Sequence, residues 1–184
     1  LWRLVSKPGD PLANAHVFFV ESEEYFARPA IYGPPGSDYL DNARRYACFT
    51  MAGLQSLPTI AGNSPVLLHT HDWHTALAPV YLRTRFAYDE RYTRVKTVLS
   101  VHNAGFQGHF PPSTVEDLGL PMSLFNWRQL EWYGQYNMLK GGLVFADAVT
   151  TVSPTHAHEL RTQAGGFGLD GVFGFHADAS GRLC

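Results

Sequence analysis

The sequence is poor in cysteine, in charge and in long apolar runs. Its 184 residues include only two cysteines, Cys48 and Cys184. Two thiols cannot supply the framework of a small disulfide-stapled domain, so a reducing compartment is expected. Cys48 lies in an apolar helical pattern and reads as a small core residue. Asp, Glu, Lys and Arg make up 16% of the chain, and the 14 basic and 16 acidic residues leave a formal charge of −2. The basic residues are scattered. Such a balance gives no electrostatic footprint for nucleic acid or an anionic membrane, and neither is expected as a partner. No apolar stretch reaches the roughly 20 residues that span a bilayer. Leu1-Trp2-Arg3 has neither a starting Met nor the layout of a signal peptide, and Gly181-Arg182-Leu183-Cys184 has no tail character. Both ends therefore read as cut, the first more clearly.

Several chemical signatures are also missing. No G-x-G-x-x-G follows a strand, and no G-x-x-x-x-G-K-[ST] or G-x-S-x-G occurs. Gly165-Gly166-Phe167-Gly168 comes after a helix, where it cannot cradle a phosphate in that way. No pair of carboxylates stands out as a glycosidase pair.

What is present fits one domain with a substantial core, since 45% of the residues are apolar. His16–Val20 is a short run of strand formers. A Pro- and Gly-rich loop follows, and Ser37 or Asp38 is expected to cap a helix reaching about Leu57. In it Leu40, Ala43, Ala47, Thr50 or Met51, and Leu54 recur at helical spacing. Pro65–His69 and Val95–Val101 read as buried strands, and Ala148–Val152 as a third. Asp72 is placed to cap a helix carrying Leu77, Val80 and Tyr81. Ser113-Thr114-Val115-Glu116 has capping-box spacing. Gln135–Ala146 reads as a helix whose Gly141-Gly142 suggests close packing. Ser153-Pro154 supplies a capping hydroxyl and a first-turn proline for a further helix. Alternating strands and helices, with strands that show no polar alternation, point to an α/β fold with a parallel sheet covered on both faces.

In such a sheet ligands bind beyond the carboxyl ends of the strands. His69-Thr70-His71-Asp72-Trp73-His74 ends one strand, His102-Asn103 the next, and Ser153 and Thr155 follow a third. An indole beside imidazoles, amides, hydroxyls and a carboxylate is a set suited to a sugar, whose apolar face packs on the ring while its hydroxyls meet the polar groups. Each residue also has a plainer reading. His69 also reads as a buried strand-end histidine, Asp72 as a cap and Trp73 as packing. His156 and His158 read as surface residues, and Phe167 and Phe173 as core or loop packing. A metal-hydrolase reading starts from His69-x-His71 with His74 as a third ligand. It lacks an obvious distant ligand and a chain long enough for a (β/α)8 barrel.

Four blocks, in order, resemble bacterial glycogen synthases and plant starch synthases. His69–Pro79 resembles their H-x-H-D-W-H-x-x-L-x-P. Val101–Gly108 is similar to V-H-N-x-x-[FY]-Q-G. Gly134–Leu160 is similar to L-K-x-G-[IL]-x-[FY]-A-D-x-[IV]-T-x-V-S-P-[TS]-[YH]-[AS]-x-E, and Gly166–Val172 resembles the Gly-rich stretch that follows. The blocks cover about Val66 to Val172, with weaker similarity through Arg28-Pro29 and Tyr39–Arg45. The resemblance implies a Rossmann-like sheet forming part of the N-terminal domain of a two-domain GT-B enzyme. It implies glucose transfer from ADP-glucose or UDP-glucose to the non-reducing end of an α-1,4-glucan, with retention and with no metal or other cofactor. His102 matches the family's catalytic position. Asp72, Trp73 and Asn103 match sugar-cleft positions, and Tyr32 matches a further one. The family's Lys-x-Gly-Gly loop, the first strand and the nucleotide-binding second domain are expected to lie outside this chain. A bacterial cytoplasm is the expected setting, or a plastid in a plant. The alternatives are another GT-B glycosyltransferase, such as a sucrose synthase relative, a glucan-binding module without transfer, and the metal hydrolase.

Overall fold

The computed structural model describes residues 2–4 and 15–178; Cys184 lies outside them. In chain order the elements are β1 (Trp2–Leu4), β2 (Val17–Phe19), α1 (Glu23–Phe26), α2 (Asn42–Ala61), β3 (Val66–His71), α3 (Asp72–Thr75), α4 (Leu77–Arg83) and β4 (Val95–Val101). There follow β5 (His109–Phe110), α5 (Thr114–Asp117), β6 (Glu131–Trp132), β7 (Gln135–Asn137), α6 (Met138–Phe145), β8 (Ala148–Thr151), α7 (Pro154–Leu160), α8 (Gln163–Gly166) and α9 (Asp170–Asp178). Among the described residues no helix is long and apolar enough to cross a membrane.

The organising sheet is parallel, in the order β3-β4-β8. Its strands are the three apolar runs, and each crossover carries helices back to the starting end, as right-twisted parallel strands require. Leu77, Val80 and Tyr81 of α4 and Leu139 and Leu143 of α6 are fully buried, and the two helices pack on each other. The pattern departs from expectation on β3, where exposure alternates. Leu67 is 69% exposed, His69 and His71 share that open face, and Thr70 points inward. The strand at 16–20 does not join this sheet either. β2 pairs antiparallel with β1.

A second correction concerns α2. The helix starts at Asn42 rather than near Ser37, and it runs on to Ala61. Leu40, read as a core position, is wholly exposed. The reason lies in the polar groups before the helix. Tyr32 O accepts from the Tyr39 amide and from Asn42 Nδ2, each at 2.8 Å. Asp41 receives both terminal nitrogens of Arg28, at 2.8 and 2.6 Å. These bonds hold residues 32–41 as a turn. Buried Arg45 completes the clamp by donating to Tyr25 O, Ile31 O and Asn42 Oδ1. Cys48 is half-buried, and burial pushes its thiol pKa up, which keeps it protonated and unreactive.

Pro58 sits inside α2 and has no N–H to give the carbonyl four residues back. That carbonyl, Leu54 O, accepts instead from the buried Tyr92 hydroxyl at 3.2 Å.

Two further readings change. The Ser113 side chain makes no cap bond, because Ser113 is itself helical (φ −58, ψ −24). Residues 135–137 form β7, paired with β5 and β6, and the helix begins only at Met138. Asn137 is its cap, with Oδ1 accepting from the Lys140 amide at 2.8 Å. Ser153 caps α7 as expected, accepting from the His156 amide at 3.0 Å with Pro154 in the first turn.

Asp147 locks the end of the sheet opposite the rim. Its carboxylate accepts from the Thr97 amide and hydroxyl at 2.9 Å, from Arg83 at 2.7 Å and from Lys96 at 3.1 Å. Burial alone would raise this carboxyl, but the Thr97 amide, Lys96, the Thr97 hydroxyl and Arg83 outweigh it and hold it below its ordinary value. A depressed folded-state value means stability that is present above the unfolded value, about 3.9, and lost as pH falls through the folded one. Asp147→Asn should therefore cost on the order of 1–3 kcal/mol at pH 7. It should also show a smaller acid-induced loss than the parent in urea unfolding at pH 5 and pH 3. Equal losses in both proteins would refute this role.

Candidate functional site

The carboxyl ends of β3, β4 and β8 lie side by side, so the three motif segments form one rim, as expected from the sequence. Its centre is a bidentate contact. Asp72 Oδ1 accepts from the His102 backbone N–H at 2.8 Å, and Oδ2 lies 2.9 Å from His102 Nδ1. Asp72 is not the expected helix cap. It occupies the first turn of α3 with φ +53, and His71 stands at the N-cap position without a side-chain cap bond. Positive φ is uncommon outside glycine, and Asp is among the residues that tolerate it. Here the conformation turns the carboxylate away from the helix and onto the neighbouring strand end. A carboxylate can only accept, so the Nδ1 proton is fixed on His102. In the neutral ring Nε2 is then an acceptor facing outward.

His71 stacks on His102, with ring centroids 5.3 Å apart and planes at 28°. His69 lies 4.3 Å from His71 and bonds Ser100 Oγ through Nε2 at 2.6 Å. His69 is thus exposed, not the buried strand-end residue expected. Burial, His69 and His102 together push the His71 pKa down, which keeps that imidazole neutral near pH 7. Stacked rings do not aim their nitrogens at one point, and among the described residues no group of three or more His, Cys, Asp or Glu is arranged to hold a metal ion.

Trp73 departs from the sugar-stacking expectation. It is only 8% exposed, packed against Tyr46, His74 and Phe110. Gly108 explains the burial. A Cβ there would lie 2.5 Å from the indole, so only glycine lets the rim loop cross its face. Trp73 therefore acts on the site as a wall behind Asp72. Burial pushes the His74 pKa down, and its ring connects Trp73 with Tyr32 at 5.5 Å. Tyr32 is half exposed and reaches the rim through His74 and through Tyr46, which packs on Trp73. Asn103 is exposed beside His102, with Oδ1 held by the Gly105 amide at 2.9 Å.

Two residues that the sequence reading passed over shape the rim loop. Gln107 is buried and donates to Ala104 O and Phe167 O, at 2.9 and 3.1 Å. Its Oε1 accepts from Asn137 Nδ2 at 2.6 Å. Asn137 Nδ2 also lies 2.9 Å from His109 Nε2, which must then be the unprotonated nitrogen. The signal for both was the pair of polar amides amid apolar segments. His156 was read as a surface residue, but it is half-buried, with Nδ1 3.2 Å from Glu159.

Against known proteins, residues 4–174 match the family described as the starch synthase catalytic domain. The chain is 44% identical over 169 residues to a glycogen synthase of Syntrophotalea carbinolica, covering 92% of this chain and 34% of that protein. It is 42% identical over 167 residues to glycogen synthase 2 of Geobacter sulfurreducens, covering 91% and 34%. Among solved structures, the catalytic domain of starch synthase IV from Arabidopsis thaliana, bound to ADP and acarbose, matches with a TM-score of 0.74 at 30% identity, covering 88% of this chain and 31% of that one. The chain thus spans about a third of the length of the curated relatives it matches.

Proposed function

This chain belongs to the starch synthase catalytic domain family, and from that premise we propose that it serves a glucan synthase of the retaining type. The reaction moves glucose from ADP-glucose, or from UDP-glucose as the alternative donor, to the non-reducing end of an α-1,4-glucan such as glycogen or starch. The observation that carries the reading is the Asp72–His102 pair at the strand ends. The Arabidopsis relative was solved with ADP and acarbose, a nucleoside diphosphate and a pseudo-oligosaccharide. Those are the chemical classes this reading needs.

Asp72 orients His102 and fixes its tautomer. The His102 Nε2 then accepts a hydroxyl of the transferred glucose, and the backbone carbonyl of His102 faces the positive charge that develops at the anomeric carbon. Asn103 supplies a further amide to a hydroxyl, and Tyr32 borders the sugar cleft through His74. The leaving phosphate takes the acceptor proton, so no second carboxylate is needed. No cofactor enters the scheme, because the sugar nucleotide is a substrate. The nucleotide is held mainly by a second Rossmann-like domain outside this chain. A bacterial cytoplasm, or a plastid for a plant protein, suits the chemistry.

The test compares the product of the complete reading frame with the 184-residue chain. Both are assayed for incorporation of labelled glucose into glycogen from ADP-glucose and from UDP-glucose. Incorporation by the complete product with one donor preferred is expected, and none by the 184-residue chain, since it spans a third of its relatives. A complete product that labels no glucan from either donor sinks the function. Turnover by the short chain sinks the division of labour.

A further inference from the structure

Phe167 is in a conformation that its side chain does not favour. Its backbone is left-handed, φ +49 and ψ 42, at the end of α8. That region is sterically disfavoured for a residue with a Cβ, and glycine would occupy it freely. The ring does not recover that cost in the core, because Phe167 is 53% exposed. Strain held beside a site, with an apolar ring left in water, points to use of the ring.

The surroundings say what the ring can take. The conformation is held from below by the buried Gln107 amide on Phe167 O. The ring lies over the rim loop. A Cβ built on Gly105 would be 3.6 Å from Phe167 Cζ and 3.0 Å from Asn103 Oδ1. Asn103 Oδ1 is engaged by the Gly105 amide, so what this exposed side chain can still offer a ligand is its two Nδ2 protons. Phe106, next in the chain, is a second exposed ring, at 67%. An apolar face with an amide donor beside it, one residue from His102, suits a pyranose: the ring stacks on its C–H face and the amide meets a hydroxyl.

We propose that Phe167 is a stacking platform for the acceptor glucan, a subsite built on the rim loop next to Asn103. The proposal rests on the function given above and adds the residue that selects the acceptor. Phe167 binds and does not take part in bond making.

The experiment uses the product of the complete reading frame, unaltered and as Phe167→Gly and Phe167→Tyr. Glycogen binding is read by affinity electrophoresis, and steady-state rates are read with maltoheptaose and the preferred sugar nucleotide. Phe167→Gly should weaken glycogen binding about tenfold and raise the maltoheptaose KM by a similar factor. The donor KM and the kcat should stay within about twofold, the signature of lost uniform binding to one substrate. Phe167→Tyr should restore both acceptor readings. The glycine variant should melt no lower than the parent, because glycine relieves the backbone, so a folding defect cannot imitate the result. Unchanged glycogen retention in Phe167→Gly, or an equal rise in both KM values, overturns the proposal. Retention needs no turnover. If the parent binds glycogen but transfers nothing, the synthase reading fails while the gel still decides the subsite. If the parent neither binds nor transfers, both fail.

Discussion

Replacing Asp72 by Asn is expected to lower glucosyl transfer by about a hundredfold or more, with the thermal melt unchanged. Asn is nearly isosteric and tolerates positive φ, so the turn at φ +53 survives. What changes is the proton inventory. The His102 backbone N–H is a fixed donor, so the Asn oxygen must stay on it. The Asn amide nitrogen then faces His102 Nδ1, which becomes an acceptor, and the ring proton moves to Nε2. The outward nitrogen turns from acceptor to donor without any heavy atom moving. The loss should fall on kcat more than on either KM. Kinetics of the complete product, with a nitrogen-detected NMR spectrum reporting the His102 tautomer, would check it. Near-normal kcat alongside a switched tautomer would show that the outward acceptor is not what the reaction uses.

The second large effect is on folding. Gly142→Val should abolish the cooperative melt. Helix α6 crosses the start of α4 at Gly142, where a Cβ would lie 2.6 Å from Ala76 Cβ and 2.9 Å from its Cα and O. Ala76 is fully buried and two of those atoms are backbone, so nothing can swing aside. Overpacking of a core costs about 1–3 kcal/mol when side chains can adjust, and more when they cannot. A domain has only about 5–15 kcal/mol in hand. Gly53, inside α2, has no atom within 4 Å of an added Cβ. Gly53→Ala should instead stabilise by about 1 kcal/mol. Differential scanning calorimetry of the two variants separates close packing from glycine's general helix penalty. A Gly142→Val protein that melts like the parent would show that the helices can part.

Val95–Val101 was legible to the residue because a central strand gathers β-branched and apolar residues, here Val95, Val98, Leu99 and Val101. The close packing at Gly141-Gly142 was legible too, since two glycines in a helix are otherwise costly. The rim was legible as a place, because strand ends in a parallel sheet collect on one side. Asp72 was misread because a polar residue before a helix is usually its cap, and only the neighbouring strand reveals a better donor pair. Trp73 was legible only as a choice between packing and a sugar face, because the sequence does not say which loop lies over a ring; the crossing by Gly108 is tertiary. β7 was read as helix because its three residues owe their extension to pairing with β5 and β6 rather than to composition. The buried amide contact of Gln107 with Asn137 joins residues 30 apart and leaves no periodic trace.

Pro58 and Tyr92 carry a consequence for how this sequence can drift. The proline leaves Leu54 O without its helical donor, and the Tyr92 hydroxyl fills the gap from another part of the chain. Each residue is therefore the other's genetic background. A Phe at position 92 strands a buried carbonyl while Pro58 remains, yet it is nearly silent once position 58 has regained an N–H. The order in which the two codons change decides whether a lineage passes through a weakened intermediate, and the route that replaces Pro58 first is the one left open.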